Sequence, residues 1–263
     1  MKSNNSGIRW HRIFGLASII AVLIFAAMLY ADFGTSIRPA AGTGKATEDT
    51  SASVGAANDM SGNDIDTKKQ GASEKAVVCI DASHGGTDTG QYDGKNYEKD
   101  QVLELAKLIE SNLSAYGIIV VMTRTADENV DYSARIKKSS AGKAAALVSL
   151  HRDVAKKKGT SSGVSTWIYT SSPKDSNKLA TDIIDAFKEI GVGTNGVNTG
   201  TPDDSSKDYY LNQHSSSASC IVELGNMYSS EDNKLVTTDK ENTAKAVSDG
   251  IIKYLEQAGY ING

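Results

Sequence analysis

Four histidines occur in 263 residues. Two of them close apolar runs with the character of buried strands: His84 follows Val77 to Ile80, and His151 follows Ala146 to Leu150. Glu98 opens a helical stretch fourteen residues after His84, and Glu223 ends a third apolar run, Cys220 to Val222. Two imidazoles and a carboxylate are a ligand set for one Zn²⁺ that leaves a fourth position for water, the pattern of catalytic rather than structural sites. A metal-bound water of lowered pKa beside a further acid, Glu223, is what amide hydrolysis with proton transfer to a leaving amine requires.

Each group alone has a plainer explanation. Glu98 in a first helical turn complements the helix dipole, and His84 or His151 alone would pass as an ordinary surface or core histidine. Four such groups at strand or helix ends on one side of a sheet make coincidence the weaker reading, because open α/β sheets build sites at the carboxyl ends of their strands.

The elements that must position them alternate. Strands are expected at Ala76 to Asp81, Ile118 to Arg124, Ala146 to His151, Gly163 to Thr170 and Ser219 to Leu224, with a short one at Tyr209 to Leu211. Helices are expected at Glu98 to Tyr116, closed by Gly117, at Tyr132 to Ala145, at Ser176 to Ile190 and at Asp239 to Ala258, closed by Gly259. Residues 191 to 208 read as a long surface loop. The pattern predicts a single α/β domain over residues 76–260, with a mostly parallel or mixed sheet of about six strands and helices on both faces.

Upstream of this domain, residues 1–12 carry Lys2, Arg9 and Arg12 and no acid, and residues 13–31 form an uncharged, largely apolar run. As a helix that run is roughly 28 Å long, the thickness of a bilayer core. The expectation is a cytoplasmic N-terminus at 1–12, a transmembrane signal anchor at 13–31 and everything downstream outside. A cleaved signal, which would release the protein, is the alternative. Residues 32–75 are rich in Gly, Ser, Ala, Thr, Asn and Asp and read as a disordered linker.

The net charge of −4 provides no basic field for nucleic acid. Cys79 and Cys220 both fall in expected strands, where a free thiol behaves as a small hydrophobe; two cysteines are too few for a disulfide framework, though one bridge is open to them.

The succession Asp81-Ala82-Ser83-His84-Gly85-Gly86, Tyr97-Glu98-Lys99-Asp100, Met122-Thr123-Arg124, Arg135, Ser149-Leu150-His151 and Val222-Glu223-Leu224-Gly225 resembles the zinc-dependent N-acetylmuramoyl-L-alanine amidases of the Amidase_3 family. The resemblance covers about residues 76 to 258. It implies one zinc ion held by His84, Glu98 and His151, and Glu223 as the catalytic carboxylate. It further implies peptidoglycan as substrate, cut between N-acetylmuramic acid and L-alanine. Ser83 stands where the family usually has glycine, and a positive φ there would be strained. Arg152-Asp153 stand where a small residue and then Asn or Asp are usual. Arg152 could crowd the site or reach a substrate carboxylate. Arg124 and Arg135 could pair with stem-peptide carboxylates or with helix-surface acids, and His214 could reach the cleft from the segment before the last strand. Asp153 is a further substrate-side candidate, and the sequence names no activating protein partner.

The competing reading is a degenerate wall-binding or regulatory domain of the same fold. A zinc peptidase of the HExxH type is disfavoured, since no such helix motif occurs.

Overall fold

The computed structural model describes residues 75–153 and 162–262. The expected cytoplasmic segment, the transmembrane run and all but the last residue of the linker lie outside the described residues. Among the described residues no helix is long and apolar enough to cross a membrane.

Six strands form one sheet: β1 (Val77–Ala82), β2 (Ile119–Met122), β3 (Ala146–Asp153), β4 (Val164–Ile168), β5 (Thr194–Thr199) and β6 (Ala218–Asn226). Their spatial order is β2-β1-β3-β6-β4-β5. The first four strands in this order run parallel, β4 is antiparallel to β6, and β5 is parallel to β4. The mixed sheet of six strands is as the alternation of elements predicts.

Parity along the central strands separates two faces. Val78, Ile80, Val148, Leu150, Cys220 and Val222 meet the helices α1 (Glu98–Ala115), α3 (Lys174–Glu189) and α6 (Lys240–Gln257) through residues such as Leu105, Phe187 and Val247. Each fully buried Leu, Ile or Phe of this layer contributes about 1.5–3 kcal/mol by leaving water. Cys79, Leu147 and Ile221 point to the opposite face, covered by α2 (Tyr132–Ala141) through Ile136 and by α4 (Tyr210–His214) through Leu211. A short α5 (Ser230–Asn233) and a single 3₁₀ turn lead into α6. Both cysteines are free and buried, and their opposite parity rules out the bridge between them.

Helix ends follow the glycines. Gly117, at φ +90°, lets its own amide donate to Ser114 O and that of Ile118 to Leu113 O, closing α1, and Gly259 closes α6 the same way. Gly142 caps α2 at Ala141, four residues earlier than apolar periodicity alone suggests.

Two expectations are corrected. Residues 191–208 are not all loop, because β5 adds an edge strand there. Its sequence, TNGVNT, has one bulky apolar residue and pairs through backbone alone, so no hydrophobic pattern announces it. Tyr209 to Leu211 is not a strand: Tyr210–His214 is one helical turn, too short for periodicity to distinguish the two.

Candidate active site

The site lies where β1, β3 and β6 end. His151 and Glu223 are register partners on adjacent parallel strands, so their side chains leave the sheet side by side on the α2/α4 face. His84 sits two residues beyond β1 with φ +59°, in the left-handed region. Ser83 is not at positive φ, so the strain expected of the serine falls instead on the histidine.

Glu98 begins α1 and is 2 % exposed. Its Oε1 lies 3.0 Å from His84 Nε2 and 3.3 Å from His151 Nδ1. All three prospective ligand atoms fall within 4.8 Å of one another. Donors around a tetrahedral zinc ion are about 3.4 Å apart, so the cluster has the span to hold one metal ion. Burial pushes the Glu98 carboxyl up, but hydrogen bonds with His151 and His84 outweigh it and hold it far below the usual range. Its oxygens also accept from Arg152 N at 2.9 Å and Gln91 N at 2.9 Å, which fixes the rotamer.

His84 Nδ1 meets Asp88 Oδ2 at 2.9 Å, turning Nε2 toward Glu98. Burial lowers the His84 pKa, yet Glu98 and then Asp88 more than offset this and the net shift is upward. A carboxylate behind a histidine is the usual way of orienting a metal-ligating imidazole.

Glu223 is buried, at 4 % exposure. Its Oε1 accepts from Tyr209 Oη at 2.8 Å, and its Oε2 is buried without a hydrogen-bond partner. Burial, only partly offset by His151, pushes the carboxyl up to about 7. An acid that exchanges its proton near neutral pH therefore stands beside the His84, Glu98 and His151 cluster.

Over residues 78–253 the chain matches the Amidase_3 family, described as N-acetylmuramoyl-L-alanine amidase. The chain belongs to this family. Among its relatives is the germination-specific N-acetylmuramoyl-L-alanine amidase of Bacillus subtilis, 25 % identical over 70 % of this chain and 81 % of that protein. The amidase LytC of the same organism is 26 % identical over 68 % of this chain, which spans only 35 % of LytC. The solved amidase AmiC2 of Nostoc punctiforme superposes with a TM-score of 0.62 at 28 % identity, covering 70 % of this chain and 99 % of that one.

Within this amidase all three arginines are buried and bonded inside the fold. Arg124 is buried and donates to the carbonyls of Ala82, Ser83, Lys99 and Ala126. Arg135 is buried against Asp81 and donates to the carbonyls of Ala82, His84 and Val130. Together they hold the carbonyls of Ala82, Ser83 and His84, where the chain leaves β1 and turns to present His84. Arg152 alternates to the opposite face from His151, where its guanidinium donates to Gly225 O, Gln101 Oε1 and Asn233 Oδ1, and burial lowers its pKa to about 10. None of the three offers a free guanidinium to a stem peptide. Asp153 ends β3 half-buried. His214 stacks on Tyr210, centroids 3.9 Å apart, and its Nδ1 lies 3.0 Å from Tyr210 O, so its contacts are with its own helix.

Sequence reasoning missed Asp88 and Tyr209. Asp88 stands four residues from His84 in a glycine-rich loop, a spacing that could have drawn notice. Tyr209 carries no local signal.

Proposed function

We propose that this amidase is a zinc-dependent hydrolase that cuts the amide joining the lactyl group of N-acetylmuramic acid to L-alanine in peptidoglycan. The observation that carries this reading is the buried Glu223, its Oε2 unpartnered, side by side with His151 of the three-residue cluster. His84, Glu98 and His151 would hold the ion: two nitrogens and one oxygen suit zinc and leave an open position. A zinc ion bound there supplies a Lewis acid for the scissile carbonyl and acidifies water.

The chain's own groups account for the protons. Glu223 Oε2 takes a proton from the attacking water as the carbon–oxygen bond forms. It returns that proton to the alanine nitrogen as the carbon–nitrogen bond breaks, leaving a lactyl carboxylate and a free amino terminus. Burial raises this carboxyl above the ordinary range and a bound zinc ion would draw it part of the way back, so the group can both accept and return the proton without a steeply uphill transfer. Glu98, held ionised, keeps its charge for the metal, so the two acids have separate tasks.

The uncharged run at 13–31, with Lys2, Arg9 and Arg12 before it, supports a single-pass anchor with the amidase domain on the cell-wall side. A digest of purified peptidoglycan with and without chelator tests the reaction. New L-alanine amino termini should appear, vanish with chelator and return with added zinc. No release under any metal condition would overturn it. Recovery of the full chain in the culture medium instead of the membrane fraction would overturn the anchor.

A further inference from the structure

We propose that Tyr209 is a positioning residue for Glu223, its hydroxyl fixing which carboxylate oxygen carries the proton. This rests on the role given to Glu223 above. Tyr209 Oη donates to Oε1 at 2.8 Å, and the other oxygen, Oε2, is buried with no partner. A carboxylate at the end of its side chain has a broad, two-fold torsion, so without a donor on one oxygen either could face the cleft. With Oε1 occupied, Oε2 alone has both lone pairs to spare.

The ring of Tyr209 is held independently of that hydrogen bond. It packs on the cluster of Cys79, Leu147, Leu211 and Ile221, and its centroid lies 6.1 Å from that of His151. The sheet thus aims the hydroxyl, and the hydroxyl aims the acid. Burial and the adjacent Glu223 push the phenol's pKa above its ordinary value, so the hydroxyl stays a donor throughout the working range.

The test is Tyr209→Phe in the full chain loaded with zinc, alone and combined with Glu223→Gln. Tyr209→Phe should lower kcat roughly tenfold, leave KM within about twofold, and keep one zinc per chain and an unchanged Tm. In the Glu223→Gln background it should cost nothing further, because the group it positions has lost its proton-carrying role. Unaltered kcat in Tyr209→Phe overturns the proposal. So does a tenfold loss that persists in the Glu223→Gln background, or one that tracks lost zinc. If Glu223→Gln itself turns over like the parent, the role of Glu223 falls. If Glu223→Gln is slow and Tyr209→Phe is normal, only the role of Tyr209 falls.

Discussion

Arg135 Nη1 lies 2.7 Å from Asp81 Oδ1, and both side chains are buried beneath the site. Asp81 also accepts from Thr123 Oγ1 and Ser149 Oγ, each at 2.6 Å, so β1, β3 and the end of β2 are joined through one carboxylate. Burial raises the Asp81 pKa, but Arg135 and the two hydroxyls outweigh it and hold it low. Removing the cation alone strands a buried charge, so Arg135→Met should cost about 3–5 kcal/mol. Adding Asp81→Asn should recover part of that loss. Urea unfolding of the two variants and the parent checks both statements, and equal stability of Arg135→Met and the parent would remove the ion pair from the account.

Asp88 acts on the ligand set from outside. It is half exposed, so Asp88→Asn should leave the Tm of metal-free protein almost unchanged. Its carboxylate, an acceptor, calls for a proton on His84 Nδ1 and orients the ring so that Nε2 faces Glu98. Partners of this kind govern metal affinity by about 10- to 100-fold. Competition with a chromogenic chelator should show Asp88→Asn losing zinc affinity within that range.

How far the sequence reveals this arrangement depends on what each residue answers to. The apolar runs of β1, β3 and β6 are dictated by burial on two faces, and the polar groups ending them stand out against that background. Period-two alternation then ties His151 and Glu223 each to one set of neighbours along its own strand, and the register between β3 and β6 brings the two onto one face. Arg124, Arg135 and Arg152 resist such reading because charge suggests solvent, whereas their roles come from carbonyls brought close only by the fold. Tyr209 and the edge strand β5 are illegible for a related reason: one acts across strands on Glu223, the other pairs by backbone alone.

Gly90 lies against the ligands. At φ +62°, a Cβ built there would come within 2.6 Å of both Glu98 Oε2 and His84 Cδ2, and within 2.9 Å of Glu98 Cβ. Such distances demand movement, and the atoms that must move are two of the three prospective ligands. Gly90→Ala should therefore weaken zinc binding at least tenfold, and lower activity with it, with a smaller effect on the fold because the loop can yield before the sheet does. Zinc titration followed calorimetrically, beside a thermal melt of the metal-free form, separates the two.

Glu223 gives a pH signature in metal-free protein. Its folded pKa of about 7 lies above the 4.5 of an unperturbed glutamate. A raised acid favours the folded state fully below the unfolded pKa, and that advantage is lost as pH rises through the folded one. Glutamine has no such dependence. The stability of Glu223→Gln relative to the parent should accordingly grow between pH 4.5 and 7, by about 3 kcal/mol in all, and level off above 7. Chelated samples of both proteins, unfolded in urea at pH 4, 5, 6, 7 and 8, measure this directly. A difference that does not change with pH would show that the carboxyl titrates normally in the fold. Zinc should flatten the same curve, because a nearby dication favours the ionised carboxylate and draws its pKa back down.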